Sequence, residues 1–125
     1  MGPIVRRVTR IYQPAHEVIR FSVYNENQVG RTVSSPDPYN DEDWHHIVGT
    51  FDGTTVKVYV DGNLKNDILL DGFVEPNGET DLVVGSDLET GSNNSGPTWR
   101  GYIDELSIWS VALTDAEVLQ MYQNP

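Results

Sequence analysis

Between Val56 and Val60 the side chains alternate strictly, with Val56, Val58 and Val60 in one set and Lys57 and Tyr59 in the other. A period of two places alternate side chains on opposite faces of an extended chain, so this segment reads as a strand with one buried face and is incompatible with a helix. The segment ahead of it, Trp-His-His-Ile-Val-Gly-Thr-Phe from Trp44 to Phe51, is similarly rich in β-branched and aromatic residues. Asp52-Gly53 and Asp61-Gly62 follow the two segments. Asp-Gly supplies the positive φ angles that two-residue hairpin turns require. The chain is therefore expected to run as consecutive antiparallel strands here, Trp44 to Asp52 and Thr55 to Asp61.

The same reading extends outward. Ile4 to Tyr12 and Glu17 to Tyr24 are expected strands separated by Pro14, with Ile19, Phe21 and Val23 sharing a face. Asn25 to Gln28 is a turn candidate, and Val29 to Ser34 a short strand. The acidic segment from Ser35 to Asp43 holds Pro36 and Pro38, which argues against strand pairing there. Asn63 to Leu70, Thr80 to Gly85 and Arg100 to Trp109 complete the strands, with a Gly/Ser/Asn-rich loop from Ser86 to Pro97. Near the C-terminus, Thr114 precedes Glu117 by three residues, the spacing of a capping box. Leu113 and Val118 are placed to form a hydrophobic staple. Val118, Leu119, Met121 and Tyr122 give a helical stripe, expected to dock on the edge of the strands.

The stretch from Asp43 to Gly62 and the later block Gly-Tyr-Ile-Asp-Glu-Leu-Ser-Ile-Trp-Ser-Val-Ala-Leu-Thr-Asp-Ala-Glu, Gly101 to Glu117, resemble in order the two signature blocks of laminin-G-like, concanavalin A-like lectin/glucanase jellyroll domains. The resemblance implies an all-β fold, an antiparallel jellyroll β-sandwich with one short C-terminal helix, spanning 1–125 as a single domain. It also implies a core position for Trp44. The family pattern has a longer segment ahead of the strand at Glu17 to Tyr24, so the domain is expected to be truncated or reduced at its N-terminus. Incomplete N-terminal strands would leave unpaired edges, which invite pairing with another copy of the chain.

Asp104 shares strand parity with Tyr102, Leu106 and Ile108, so a regular strand would turn its carboxylate toward an apolar set. A buried charge is costly unless paired or metal-bound, and calcium takes carboxylate and carbonyl oxygens. By the family resemblance, Asp104 is the position of a structural calcium ligand. The other readings are a carboxylate bonded to nearby backbone N–H groups, or one turned outward at a bulge. For ligand binding, the candidates are Tyr39, in the acidic loop, and Trp99 with Arg100, after the Gly/Ser/Asn loop; the alternative for Trp99 is packing over the core edge. His45 and His46 are adjacent on a strand and point to opposite faces.

Catalytic signatures are scarce. Glycoside hydrolysis ordinarily takes two placed carboxylates, and the Glu-x-Asp-x-x-Glu strand motif of glucanases is absent from the chain. Asp104 and Glu105 would face opposite ways. Ser92 to Trp99 resembles the Asp-box of sialidases, with Asn94 in place of aspartate, and that box is a turn rather than a catalytic motif. No catalytic residue is assigned and the chain is expected not to be an enzyme.

With 19 acidic against 8 basic side chains and a formal charge of −11, the chain would repel a phosphate backbone, so nucleic acid is not expected as a partner. No apolar run approaches the roughly 20 residues that cross a bilayer, so no membrane insertion is expected. The absence of cysteine excludes disulfides and thiolate metal sites. These readings converge on a non-catalytic extracellular recognition module, carbohydrate-binding, with a structural calcium and a glycan or a cell-surface or virion protein as partner. The alternative is a structural or assembly subunit, such as a virion decoration, tail or filament protein. Extracellular space, the cell surface or a virion is the expected location.

Overall fold

The computed structural model describes residues 4–8, 18–25, 27, 29–39, 41, 43–72 and 102–124. Its elements are β1 (Ile4–Val8), β2 (Val18–Tyr24), β3 (Gly30–Pro38), β4 (His45–Phe51), β5 (Thr55–Val60), β6 (Asn63–Leu69), β7 (Ile103–Ile108) and α1 (Asp115–Gln123). Among the described residues, one antiparallel sheet runs in the order β6-β5-β4-β1-β7, and β2 pairs with β3 in a second. The expected strands at Thr80 to Gly85 and the loop from Ser86 to Pro97 lie outside the described residues.

The alternation in β5 has the consequence expected of it. Val56, Val58 and Val60 are fully buried and join Ile47 and Phe51 of β4, Ile19 and Val23 of β2, Val33 of β3 and Leu70 in one core between the two sheets. Each such side chain contributes roughly 1.5–3 kcal/mol relative to an exposed position. The opposite face is not solvated, as a half-buried strand would have it. Val48 and Tyr59 on that face are covered by Leu113 and Val118, with Met121 packed alongside. The helix therefore docks on the outer face of the larger sheet rather than on its edge. This second cover is why every residue of β4 is buried.

Local chemistry explains the connections. Asp61 (φ 52°) and Gly62 (φ 81°) form the two-residue turn between β5 and β6. The Asp52-Gly53 connection is longer than expected, taking in Thr54. Only Gly53 is left-handed there, at φ 101°. The Asp52 carboxylate accepts from the backbone N–H groups of Thr54 at 2.9 Å and Thr55 at 2.8 Å, and these bonds hold its pKa below the ordinary carboxylate value. Asn25 closes the β2–β3 turn, its Oδ1 accepting from the N–H groups of Asn27 and Val29, both at 3.0 Å.

Pro36 and Pro38 lie inside β3, contrary to the expectation of an unpaired loop. Val18 pairs with Pro38 and Arg20 with Ser34, so the register shifts around Ile19. Ser35 Oγ accepts from the Ile19 N–H at 2.9 Å within this bulge. An irregular strand of this kind tolerates proline because the missing N–H is not needed by the ladder. At the C-terminal helix the capping box forms as expected: Thr114 Oγ1 accepts from the Glu117 N–H, and the Glu117 carboxylate accepts from the Thr114 N–H.

Candidate functional site

Trp44, His45, His46, Asp104 and Tyr122 line an open depression of about 450 Å³. Three elements bring them together. His45 and His46 open β4, with Trp44 immediately before it. Tyr122 comes from the last turn of α1, which the staple and the cap fix on the outer face. Asp104 sits early in β7. Arg7 of β1 is the register partner of both His46 and Asp104, so those two positions lie in one row across the sheet.

The direction of Asp104 differs from the regular-strand expectation. The β1–β7 register shifts between Val5 and Arg7, and Glu105 has φ 54° at that irregularity. A β-bulge breaks the alternation and re-aims the neighbouring side chains. Asp104 is accordingly exposed, and its Oδ1 accepts from the Glu105 N–H at 2.8 Å. Among the described residues no group of three or more histidine, cysteine, aspartate or glutamate side chains is arranged to hold a metal ion.

Trp44 is also placed differently from the core position that the family resemblance implies: it is 50% exposed. Tyr122 is 44% exposed, and its ring centroid lies 6.0 Å from that of His46 at an interplanar angle of 32°. The depression thus offers aromatic surface from Trp44 and Tyr122 beside a carboxylate that accepts hydrogen bonds.

Behind this surface His45 is clamped between two carboxylates. Its Nδ1 lies 2.8 Å from Asp61 Oδ2 and its Nε2 lies 2.8 Å from Asp41 Oδ1. The other oxygen of Asp61 accepts from the His46 N–H at 3.0 Å. Burial alone would push the His45 pKa down, but the hydrogen bonds to Asp41 and Asp61 outweigh it and raise the pKa above the ordinary histidine value. The same contact with His45, aided by the Asp43 N–H, lowers the pKa of Asp41.

Tyr39 is half-buried against the core between the sheets, its ring in a T-shaped contact with His45 at a centroid distance of 5.0 Å. It supports His45 from behind rather than lining the depression. Trp99 and Arg100 lie outside the described residues. The two histidines do take different surroundings, His45 between its aspartates and His46 beside Tyr122. No motif in the sequence marks Trp44, His46 or Tyr122 as site residues. The four-residue spacing of Asp41 and His45 was a visible hint, whereas the part of Asp61 rests on the β4–β5–β6 register.

The model of the concanavalin A-like lectin/glucanases superfamily matches residues 7–119. No curated protein sequence matches the chain. Among solved structures, a native heptameric SAP-like pentraxin from Limulus polyphemus superposes with a TM-score of 0.67 at 14% sequence identity, covering 96% of this chain and 68% of the pentraxin chain. At that identity the likeness concerns the fold.

Proposed function

The chain belongs to the concanavalin A-like lectin/glucanases superfamily, and on that premise we propose that it is a non-catalytic recognition module that binds carbohydrate in the depression between β4, β7 and α1. The observation that carries this reading is the juxtaposition of half-exposed Trp44 and Tyr122 with exposed Asp104. Aromatic faces pack on the apolar faces of sugar rings, and a carboxylate accepts bonds from hydroxyl groups. Hydrolysis of a glycosidic bond ordinarily uses two carboxylates flanking the bond. The described lining brings one, Asp104, together with imidazole and aromatic groups, an arrangement suited to holding a ligand. Calorimetric titration with a panel of soluble polysaccharides tests the reading. Trp44→Ala is expected to weaken binding at least about tenfold, or ~1.4 kcal/mol, with the fold retained by circular dichroism. Binding unaffected by both Trp44→Ala and Asp104→Asn would remove the depression as the site.

Three finer parts belong to the same proposal. A structural calcium would use the exposed Asp104 carboxylate, with its remaining oxygens coming from backbone carbonyls. The module would work outside the cell or on a cell or virion surface. Trp99 and Arg100 would extend the ligand surface from the segment before β7, and Tyr39 would act through His45.

A second reading, an assembly subunit, is favoured by the exposed apolar side chains of Tyr102 (72%), Ile108 (54%) and Val111 (61%) on and around β7. Large apolar side chains left exposed are candidates for burial in an association face. The pentraxin with the same fold is heptameric. The native mass in solution decides between a closed monomer and an assembly built through this face.

A further inference from the structure

We propose that His45 is an imidazolium bridging Asp41 and Asp61 at neutral pH, and that loss of its proton frees the Asp41 side of the bridge and loosens Trp44 at the rim of the depression. The argument begins with donors and acceptors. Both ring nitrogens lie 2.8 Å from a carboxylate oxygen. An ionised carboxylate only accepts, and a neutral imidazole carries a single N–H, so both bonds form together only when the ring is doubly protonated. The groups facing His45 are consistent with a positive charge. Asp41 comes from the segment before β4 and Asp61 from the β5–β6 turn, both acceptors for an imidazolium, and the Tyr39 ring, just after β3, meets His45 in a T-shaped contact. Its register partner in β1 is Val8, which does not titrate. His46, Asp104 and Tyr122 share the depression with it.

The two carboxylates are held unequally, which decides what happens when the proton leaves. Asp61 is locked into the turn at φ 52° and uses its second oxygen on the His46 N–H. The side chain of Asp41 is 52% exposed, against 29% for Asp61, and water readily replaces its contact. The remaining proton therefore stays on Nδ1, facing Asp61. The Nε2 lone pair then faces the Asp41 carboxylate, lone pair against lone pair, and Asp41 turns to solvent. Asp41 is three residues before Trp44, and its Oδ1 also accepts from the Asp43 N–H at 3.1 Å. Releasing it slackens the chain that carries the indole to the rim. The bridge is complete while His45 holds both ring protons and the two aspartates are ionised; it is lost as pH rises through the raised His45 value and, on the acid side, as Asp41 takes up a proton.

This regulation takes its functional meaning from the recognition reading above, but its physical content is measured without a ligand. The whole chain, labelled with ¹⁵N, is titrated from mildly acidic to mildly alkaline pH while histidine ring nitrogens and tryptophan indole N–H groups are followed by NMR. Trp44 is assigned by the loss of its signal in Trp44→Phe. The expected result is a His45 ring protonated on both nitrogens at neutral pH, and a Trp44 indole signal that shifts with the His45 midpoint. In Asp41→Asn the His45 midpoint falls and the Trp44 shift is lost. A His45 carrying one proton at neutral pH, a Trp44 signal that is flat through the His45 titration, or an unchanged midpoint in Asp41→Asn would each overturn the proposal. A chain that shows the switch but retains no polysaccharide refutes only the recognition reading. One that binds polysaccharide through Trp44 while His45 stays neutral refutes only the switch.

Discussion

Gly49 sits in the middle of β4 and faces Phe21 across the sandwich, and Gly49→Ala should push the two sheets against each other. A Cβ built there would lie 2.5 Å from Phe21 Cγ and 2.7 Å from Cδ1, with Cδ2 nearer still, whereas ordinary contact begins at 3.4 Å. The ring must therefore recede by most of an ångström. Phe21 is half-buried, so part of that motion is outward, at the expense of packing. Overpacking of this kind costs about 1–3 kcal/mol. Removing a glycine from the unfolded chain returns about 0.4–1 kcal/mol, which leaves a net loss of about 1–2 kcal/mol. With an unfolding entropy of about 2.1 cal/mol/K per residue, a chain of this length loses roughly 4 °C in Tm for each kcal/mol. A fall of about 4–8 °C is expected by differential scanning calorimetry. The contact is isolated by combining the change with Phe21→Leu, which should cost about 1 kcal/mol less in the Gly49→Ala background than alone. An unchanged or raised Tm in Gly49→Ala, or strict additivity in the double variant, would refute the claimed approach of β2 to β4.

The remaining predictions concern the outer face, the carboxylates and the metal. Tyr59 is buried, and its hydroxyl donates to Asp115 Oδ1 at 2.5 Å; burial, and then Asp115, raise the phenol pKa well above its usual value. Tyr59→Phe should lower stability by about 1.5 kcal/mol, the low end for a bond to a charged group because the Asp115 side chain is 63% exposed and water can replace the donor. Urea unfolding measures this, and a loss below a few tenths of a kcal/mol would mean that the bond does not hold the helix to the sheet. In the acid limb, Asp41, Asp52 and Asp115 all have lowered pKa values, through bonds from His45, the Thr54 and Thr55 N–H groups and Tyr59 respectively. A lowered folded-state pKa gives stability that is fully present above the unfolded carboxylate value and is lost as pH falls through the folded one. Tm should therefore decline below about pH 4, and Asp52→Asn should flatten that decline; an unchanged slope would discount the turn bonds. For the proposed calcium, wild-type Tm should rise on adding calcium and fall with chelator, whereas Asp104→Asn should respond to neither. Equal responses in the two proteins would place any calcium elsewhere.

What the sequence disclosed was local. The Val56-Val58-Val60 alternation, the Asp61-Gly62 turn and the Thr114–Glu117 cap each depend on neighbours a few residues away, and all three form as read. Features set by a partner strand were not visible in the same way. The bulge at Glu105 arises in the pairing of β7 with β1, and it turns Asp104 outward although simple parity sends it inward. Pro36 and Pro38 are admitted to β3 by the irregular register opposite Ile19. Tyr59 has the parity of a solvent-facing residue, yet it is buried because a helix more than 50 residues later covers it. The candidate site was missed for the same reason: Trp44, Asp104 and Tyr122 meet only once β1 has brought β4 and β7 together.

The position of β1 between β4 and β7 imposes an order on how the molecule is made. β4, β5 and β6 are joined by short turns and can pair as soon as they emerge from synthesis. β1 appears first, but it cannot pair until β4 has been made, and its other edge waits for β7, with Ile4 opposite Ile108. Contacts so distant along the chain close slowly, and an unpaired strand edge is exposed to association in the meantime. The acidic excess of the chain, a formal −11, then has a role before any ligand is met, because mutual repulsion keeps half-built copies apart while the seam is open.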